Sequence, residues 1–302
     1  MADAIPAPHE SKRVLVIANP IAGAGRGRSV AEALGRELTR AGMEVEIRLT
    51  SARGDAQAFA ANARAQVVVS VGGDGTLNEV LRGMADTSVP IGIVPLGTAN
   101  VLARDLRLSA DPIVAARTIL AGHTVGLDTA IVAGQLSFLV VGVGFDAEAV
   151  RRVEAARRGP IHFTNYVRAG FGALWSQREP RLEVEIDGAR LPGTFGWVLV
   201  SNVIHYGGLF RLAADRELDD GLWEVYLFRR GTRRHMVAHL LRGLFGRLPC
   251  KDVERLRARR VRIQSAEPVA VQVDGDGHGA TPVELEISGP RFRILCPKSL
   301  LR

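Results

Sequence analysis

From Val67 to Met84 the chain reads Val-Val-Val-Ser-Val-Gly-Gly-Asp-Gly-Thr-Leu-Asn-Glu-Val-Leu-Arg-Gly-Met. The valines predict a strand that is buried on both faces of a sheet. The glycines that follow predict a loop whose backbone adopts positive φ and approaches a ligand closely. The amide groups of such a loop, together with the N-terminus of the next helix, form an anion site. Asp74 would repel a phosphate there unless it holds a metal ion, a proton or a substrate hydroxyl. A tight turn with an N-capping aspartate is the alternative interpretation.

Two further strands are followed by similar loops. Residues 13–28 predict a strand, an Asn-Pro turn at Asn19 and a glycine-rich loop with two arginines. Residues 91–100 predict a strand that ends in Gly-Thr-Ala-Asn. In an open α/β sheet, ligands bind at the carboxyl ends of the strands. The loops match neither the dinucleotide fingerprint nor the P-loop, so they predict an anion site of another kind.

Composition sets broad limits on the class of protein. The 302 residues are 47% apolar and 24% charged, with a net charge of +7 that comes from arginine. This charge allows a nucleic acid, an anionic membrane or an anionic cofactor as partner and selects none of them. Cys250 and Cys296 match no metal spacing and no disulfide framework. The N-terminus does not resemble a signal peptide, and no run of about 18 apolar residues occurs. We therefore expect a cytoplasmic protein that contacts a membrane from outside.

The pattern of elements changes along the chain. Strands and helices alternate over residues 1–125, which predicts an α/β domain with a parallel sheet. From residue 129 short alternating runs, including one over 136–143, predict a mainly antiparallel β-sandwich. We place this second domain at residues 126–288. The last segment, 289–302, contains one more predicted strand.

Gly72-Gly73-Asp74-Gly75-Thr76, with Asn19-Pro20 before it and Gly97-Thr98-Ala99-Asn100 after it, closely resembles the diacylglycerol kinase catalytic domain. That superfamily includes sphingosine and ceramide kinases and the soluble bacterial lipid kinases. Similar glycine loops occur in NAD kinases and phosphofructokinases, so the order of the three motifs carries the resemblance. It covers nearly the whole chain. It implies an α/β domain of the NAD kinase and diacylglycerol kinase type, to which the segment 289–302 returns.

The resemblance also implies an activity. The chain would transfer the γ-phosphoryl group of ATP, with Mg²⁺, to a hydroxyl of a membrane lipid such as diacylglycerol, phosphatidylglycerol or a sphingoid. Such a reaction needs a grip on the phosphates, a divalent ion and a proton acceptor. The residues that the resemblance places around the nucleotide are Asn19, Gly23, Thr50, Gly72, Gly73, Gly75, Thr76, Asn78 and Thr98.

Three groups of acids are candidates for the chemistry. Asp274-Gly275-Asp276 reads as a hairpin turn, since Asp-Gly is a strong hairpin signal. The family carries Asp-Gly-Glu at this place, with the glutamate as general base. Asp276 is one methylene shorter, so that it must act at closer range or through a water molecule. Asp274 matches the first acid of the family, and the general base is one of these two aspartates. Asp74 completes the predicted catalytic set.

The third group lies at Glu217–Leu222, which on its own reads as a turn before a strand. The resemblance implies a structural Mg²⁺ there. It would be held by the carboxylate of Asp220 and by the backbone carbonyls of Glu217 and Leu222. A set of oxygen ligands with several waters suits this ion.

Two basic regions remain. Residues 229–262 hold twelve Lys or Arg against two acids, around an apolar helical stripe. Aromatic residues are sparse there, which disfavours nucleic acid as the partner. An anionic lipid surface suits this region, and a solvated face is the simpler alternative. Residues 147–178 predict either a lid or membrane-facing helix pair, or a helix packed on the sheet.

Two other functions stay open at the level of sequence. One is a kinase for a soluble acceptor, as in NAD kinase. The other is a nucleotide-binding regulator without catalysis that docks on an anionic membrane. A homodimer is compatible with either function and with the lipid kinase.

Overall fold

The computed structural model describes residues 12–155, 172, 179–206, 210–212 and 217–301. They form two compact units. The first unit comprises the residues up to Leu96, then Leu108–Thr124 and the residues from Arg293 onward. The second unit comprises Gly97–Arg107 and Val125–Phe292. The loop segment Gly97–Arg107 therefore groups with the second unit, whereas the sequence pattern places it within residues 1–125.

A six-stranded sheet organises the first unit, in the order β2-β1-β3-β4-β20-β5. Its strands are β1 (Arg13–Ala18), β2 (Glu44–Leu49), β3 (Val67–Gly72), β4 (Ile91–Pro95), β5 (Thr124–Leu127) and β20 (Phe292–Leu295). The strand β1 lies between β2 and β3 and is parallel to both, and β3 is parallel to β4. All six residues of β3 are buried. The valine run thus forms a central strand that is covered on both faces, as predicted.

The helices of the first unit cover this sheet. They are α1 (Ala22–Gly25), α2 (Gly27–Arg40), α3 (Asp55–Ala61), α4 (Asp74–Gly83) and α6 (Pro112–Ala121). One face of the sheet packs against α2 and α6 through a core that includes Val16, Leu34 and Ile119. Leu15 and Ile17, which alternate with Val16 along β1, are also buried. Both faces of β1 are therefore removed from water.

The strand near the C-terminus joins this sheet. Ile294 in β20 pairs in parallel with Ile91 in β4. Two residues after Ile294, Cys296 donates its backbone N–H to the carbonyl of His123 over 2.9 Å. A parallel pair cannot form from consecutive strands joined by a short turn. This one is made by two strands about two hundred residues apart, between which the second unit is inserted.

The second unit is built on two six-stranded sheets, in the orders β10-β9-β16-β19-β6-β7 and β15-β14-β11-β8-β17-β18. The strands of the first are β6 (Ala130–Val132), β7 (Gln135–Ser137), β9 (Glu183–Ile186), β10 (Ala189–Arg190), β16 (Arg260–Gln264) and β19 (Val283–Glu286). Those of the second are β8 (Val140–Val143), β11 (Trp197–Ser201), β14 (Trp223–Phe228), β15 (Val253–Ala258), β17 (Ala270–Val273) and β18 (Asp276–Ala280). Their pairings are antiparallel. One core cluster takes side chains from both sheets, which makes the unit a β-sandwich as predicted.

The described part of the second unit also contains helices and a small ribbon. The helices are α5 (Val101–Asp105), α7 (Phe145–Ala155) and α8 (Arg233–Leu244), and the ribbon pairs β12 (His205–Tyr206) with β13 (Phe210–Arg211). The helix α7 forms the first part of the predicted 147–178 helical region. Of the remainder of that region, only residue 172 is described, so the lid interpretation lies outside the described residues.

The predicted strand over 136–143 is wrong, because the chain forms two strands there. Ser137 ends β7 in one sheet, and Val140 begins β8 in the other. Between them, the backbone N–H groups of Phe138 and Leu139 donate to the carboxylate of Asp274 over 3.0 and 2.9 Å. These two residues therefore leave the ladder and carry the chain from sheet to sheet.

Gly27 at the start of α2 gives a first test of the fold. A Cβ atom there would lie 1.9 Å from the carbonyl oxygen of Asn19. We expect Gly27→Ala to lower the free energy of unfolding by about 1–3 kcal/mol, as overpacking does. Urea denaturation followed by far-ultraviolet circular dichroism measures this change.

Gly75→Ala is the matched control, since an added Cβ atom there meets no described atom within 4 Å. Gly75 lies in a helix, where alanine is favoured over glycine by about 0.5–1 kcal/mol. Equal destabilisation by the two substitutions would contradict the close approach of α2 to Asn19.

Candidate functional site

The ends of adjacent parallel strands bring several predicted residues to one edge of the first unit. Asn19 follows β1 and donates its backbone N–H to Val71 over 2.9 Å. Thr50 follows β2 and donates its backbone N–H to the carbonyl of Ala18 over 2.9 Å. Leu96 follows β4 and donates to the carbonyl of Gly72 over 2.7 Å. The carboxyl ends of all four strands thus lie side by side, where a ligand of an α/β sheet binds.

The Thr50 loop is held by Asp55, which the sequence analysis missed. One carboxylate oxygen of Asp55 accepts hydrogen bonds from the backbone N–H and the hydroxyl of Ser51, both over 2.7 Å, and from the N–H of Ala52. These hydrogen bonds lower the pKa of Asp55, and the bond from the backbone N–H of Ser51 has the largest effect. The sequence signal is an acid at the first position of a helix after Ser-Ala-Arg-Gly, where it fixes the loop that carries Thr50.

The loop after β1 contains a left-handed turn. Gly23, Ala24 and Gly25 have φ angles of 61°, 58° and 85°. For a residue with a side chain this conformation costs roughly 1–2 kcal/mol. Ala24 therefore carries local strain, which concentrates at functional sites. A Cβ atom on Gly23 would lie 3.3 Å from Cβ of Leu96, so this turn packs closely against the end of β4.

The glycines of the central loop act differently from the prediction. Gly72, Gly73 and Gly75 do not adopt positive φ, and Gly73 is extended with φ −96° and ψ −174°. The prediction of positive φ was wrong, because the strand enters the helix without a left-handed turn. Gly72 is required by packing, since an added Cβ would lie 2.4 Å from Oγ1 of Thr76. Gly75 is exposed in the first turn of α4. Because it has no side chain, the backbone of that turn is accessible from outside.

The helix α4 begins at Asp74, and its N-cap residue is Gly73. Gly73 has no side chain that could cap the helix, and Asp74 is the first helical residue, so the interpretation of Asp74 as the N-cap does not apply. Asp74 is half-buried in the first turn, and Thr76 follows it there. Asn78, one turn later, is buried. A helix N-terminus at the end of a parallel strand is the arrangement that binds phosphate groups.

Thr98 lies in a loop that belongs to the second unit. Asn100 closes this loop from its N-cap position on α5, at a φ angle of 46°. Its side-chain oxygen accepts the backbone N–H of Gly97 over 2.8 Å, and its amide donates to the carbonyl of Gly97 over 2.7 Å. Thr98 is exposed at the tip of this rigid loop.

The acidic hairpin forms as predicted. Val273 in β17 pairs with Asp276 in β18, which leaves Asp274 and Gly275 as a two-residue loop. Their φ angles are 53° and 90°. Two positive φ values in a two-residue loop define a type I′ turn, for which Asp-Gly is among the preferred sequences.

The two aspartates of this hairpin occupy different environments. The carboxylate of Asp274 accepts four hydrogen bonds, from the hydroxyl of Ser137 and from the N–H groups of Phe138, Leu139 and Val140, over 2.9–3.0 Å. Burial raises the pKa of this carboxyl, and the backbone bonds oppose the rise. Asp276, in contrast, is exposed. The geometry thus favours Asp274 as an anchor of the hairpin and Asp276 as the candidate base.

The predicted metal loop is tied to Asp128, which the sequence did not single out. The backbone N–H of Asp128 donates to the carbonyl of Leu218 over 2.8 Å. Its carboxylate accepts the N–H of Gly221 over 2.5 Å and Nε of Arg291 over 2.6 Å. A buried carboxylate therefore organises the 217–222 loop. The Gly-Leu-Asp sequence at the change of pattern was the available signal.

The donors proposed for Mg²⁺ are only partly available. Asp220 accepts the N–H of Leu222 at one oxygen over 3.0 Å, and Arg257 binds the other over 2.7 Å. In the described part of the chain, no group of three or more His, Cys, Asp or Glu residues is placed to hold a metal ion. The donor set still fits a hard cation in kind, since it combines a carboxylate with backbone carbonyls. A cation at Asp220 competes with Arg257.

A second buried carboxylate lies at the start of α7. Asp146 accepts hydrogen bonds from Nε1 of Trp197, the hydroxyl of Tyr206 and Nε2 of Gln272 over 2.8–2.9 Å. Burial raises its pKa, and the three side-chain donors oppose the rise. Gly142 makes room for it, because a Cβ atom there would lie 1.7 Å from the carboxylate. Asp146 thus joins three elements of the second unit.

A third acid outside the prediction holds a histidine. Asp105, at the end of α5, lies 2.6 Å from Nδ1 of His205 and accepts the N–H of Ile204 over 2.6 Å. The sequence analysis gave His205 no partner, since the two residues are one hundred positions apart. Gly207 and Gly208, which match family positions after this histidine, lie outside the described residues.

Comparison with known proteins agrees with the two-part fold. Residues 13–132 match the model of the diacylglycerol kinase catalytic domain, and residues 139–296 match that of the YegS C-terminal NAD kinase beta sandwich-like domain. The diacylglycerol kinase of Bacillus subtilis (strain 168) is 27% identical over 95% of this chain and 97% of its own. That of Staphylococcus carnosus (strain TM300) is 26% identical over 96% of each chain.

A crystal structure of a diacylglycerol kinase from Bacillus anthracis str. Sterne resembles the fold with a TM-score of 0.72, at 21% identity over 96% of this chain and 98% of the other. The α/β unit with its glycine loops and the β-sandwich with its acidic hairpin define a lipid kinase. The chain belongs to the diacylglycerol kinase catalytic-domain superfamily, of the bacterial type.

The two hairpin aspartates can be separated by stability. We expect Asp274→Ala to lower the free energy of unfolding of the second unit by about 3 kcal/mol or more, because it leaves four donors without their acceptor. Asp276→Ala, at an exposed position, should change it by less than about 0.5 kcal/mol. Urea denaturation monitored by the fluorescence of Trp197 and Trp223, both buried in this unit, measures the difference. Similar losses in the two variants would remove the distinction between anchor and exposed acid.

Proposed function

We propose that the chain transfers the γ-phosphoryl group of ATP to a hydroxyl of a membrane lipid of the diacylglycerol, phosphatidylglycerol or sphingoid type. The observation that carries the proposal is Asp276, an exposed carboxylate on a turn that Asp274 anchors. An alcohol that attacks a phosphoryl group must lose its proton, and a carboxylate held in a fixed position can accept it. The names of the bacterial relatives support diacylglycerol as the acceptor class.

In this proposal the first unit holds the nucleotide. The N-terminus of α4 and the loops at Asn19, Gly23 and Thr50 surround its phosphates. Gly75 lets the nucleotide approach the first helical turn closely. Thr98 is assigned to the nucleotide as well, on the resemblance of its Gly-Thr-Ala-Asn motif to the family. Asp74, beside the phosphates, organises the divalent ion or contacts the acceptor hydroxyl.

The proton leaves the acceptor hydroxyl through Asp276. A positioned general base contributes about 10²- to 10⁴-fold to such a reaction. The carboxylate of aspartate reaches less far than that of the family's glutamate. The hydroxyl must therefore come closer to the hairpin, or a water molecule must relay the proton.

Mg²⁺ is the proposed cofactor of the 217–222 loop. The carboxylate of Asp220 and the carbonyls of Glu217 and Leu222 would hold it. When bound there, it supplies positive charge that binds the loop carboxylates together. Asp128 fixes the loop from the other side through the N–H of Gly221.

The activity is tested with radiolabelled ATP, Mg²⁺ and a mixed bacterial lipid extract, with a sphingoid panel alongside. We expect a labelled lipid with the wild-type protein and a loss of about 10²- to 10⁴-fold in turnover for Asp276→Asn. Asp276→Glu, which restores the family's residue, should retain activity. Glu284→Gln removes another half-exposed acid of the sandwich and should leave turnover unchanged.

Two outcomes would refute the proposal. Phosphorylation of NAD or a sugar, with no labelled lipid, would establish a kinase for a soluble acceptor. Binding of ATP with no turnover on any lipid would establish a nucleotide-binding regulator. Full lipid kinase activity in Asp276→Asn would refute the role of this residue and leave the reaction standing.

The metal proposal has its own test, which uses binding as well as activity. We expect Asp220→Asn to raise the Mg²⁺ concentration at half-maximal activity about tenfold and to abolish the rise in Tm that Mg²⁺ causes. Arg257→Gln removes the competing cation and should lower the required Mg²⁺ concentration. An unchanged Mg²⁺ dependence of both Tm and activity in Asp220→Asn would place the ion elsewhere.

A further inference from the structure

The helix α8 has an apolar face that the second unit does not cover. Met236, His239 and Gly243 recur at helical spacing and are buried against the unit. Val237, Leu241 and Leu244 form a second stripe at the same spacing, and this one is exposed. Leu241 is 53% exposed, and Phe245, just beyond the helix, is 69% exposed. A surface helix normally exposes polar residues to water. The helix α8 exposes an apolar stripe instead.

This outer face is one continuous patch. Four of the exposed large apolar residues of the described chain lie within nine positions of one another here. Single exposed apolar side chains are ordinary on a protein surface, whereas a contiguous group marks an interaction site.

The charges along the chain segment that contains α8 are of one sign. Residues 229–251 contain seven Lys or Arg and no Asp or Glu. Arg233 and Arg234 are exposed at the start of α8, Arg242 is exposed near its end, and Arg247 and Lys251 are exposed just after it. An apolar stripe framed by cations is the pattern of a helix that lies in the interface of an anionic bilayer. A second copy of the chain would oppose these cations with its own, and would meet like charge.

We infer that α8 and Phe245 form the surface by which the second unit docks on a membrane that contains anionic phospholipid. Val237, Leu241, Leu244 and Phe245 enter the interface, and the arginines contact the headgroup phosphates. The inference deepens the proposed function and rests on it for its purpose, because a kinase whose acceptor lies in a bilayer must reach that bilayer.

The helix that carries the patch is connected to other elements of its unit by packing and hydrogen bonds. On its inner side, Gly243 packs against Phe210 of β13, since a Cβ atom on Gly243 would lie 3.0 Å from that ring. The strand β13 pairs with β12, which contains His205. The carboxylate of Asp105 then joins His205 to α5, the helix that follows the Gly97–Asn100 loop. These contacts connect the docking helix with the ribbon and with α5 inside the second unit.

The test compares vesicle binding by matched variants. Wild-type protein should sediment with vesicles of 70% phosphatidylcholine and 30% phosphatidylglycerol and not with pure phosphatidylcholine. Leu241→Glu with Phe245→Glu should reduce binding at least tenfold. Arg233→Gln with Arg234→Gln should reduce it about fivefold per charge, and added salt should weaken it further.

The control pair is Ile113→Glu with Val114→Glu, two apolar residues of α6 with 47% and 44% exposure. It introduces the same charge at the same kind of site and should leave vesicle binding intact. Equal binding by wild type and the α8 glutamate variant would overturn the inference. A dimer in light scattering that the glutamates dissolve, with no vesicle binding by wild type, would also overturn it and assign the patch to a second copy.

Activity separates this inference from the proposed function. The α8 glutamate variant should retain turnover on dispersed short-chain diacylglycerol and lose it on long-chain acceptor embedded in the anionic vesicles. Absence of phosphorylation on every lipid would refute the proposed function, and the vesicle comparison would still decide the docking surface. Equal losses on the dispersed and embedded acceptors would refute docking as the role of α8.

Discussion

The β-sandwich depends on a carboxylate that replaces part of a strand ladder. Asp274 accepts three backbone N–H groups and one hydroxyl from residues 137–140, where the chain crosses between the two sheets. Donors buried at such a crossing would otherwise lack acceptors, at a cost of about 1–3 kcal/mol each. The same residue is the first of the type I′ turn before Asp276. One side chain thus completes the sandwich and holds the candidate base, which explains an aspartate at a positive φ angle.

Acidic side chains hold the functional loops in both parts of the chain. Asp128 fixes the proposed metal loop, Asp105 fixes the segment at His205, and Asp55 fixes the loop at Thr50. Each binds backbone N–H groups of an irregular segment, which no ladder can satisfy. The exposed side chains that we assign to chemistry, Asp276 and Thr98, lie next to such anchored backbone. Rigid support of this kind keeps a reactive group in place without using the group itself.

How far the sequence predicts this structure follows from the range of each interaction. The parallel sheet and the Asp-Gly hairpin arise from local pattern, and the motifs predict them. The roles of Gly72 and Asp274 depend on contacts with Thr76 and with residues 137–140, and a motif does not reveal which of its members carries the fold. Asp105 and Asp146 were missed because their partners, His205 and Trp197, lie far away in sequence. The inward and outward faces of α8 could not be separated either, since both are apolar and only the packed unit shows which one is covered.

The anchoring of the hairpin backbone explains how Asp276 can stand where the family carries a glutamate. A longer side chain reaches its target through more rotatable bonds and loses more conformational entropy when it is fixed. A shorter one is better oriented but must be brought to the acceptor by its backbone. The type I′ turn and the four bonds to Asp274 restrict that backbone, and Glu154 accepts the N–H of Gly277 on the other side of Asp276 over 2.8 Å. With backbone anchors on both sides, position 276 keeps its orientation, so that the loss of one methylene shifts the carboxylate by a fixed amount. In the proposed reaction the acceptor hydroxyl would then bind correspondingly deeper, or a water molecule would relay the proton. In the first case, residue 276 would determine how far the lipid headgroup enters the site.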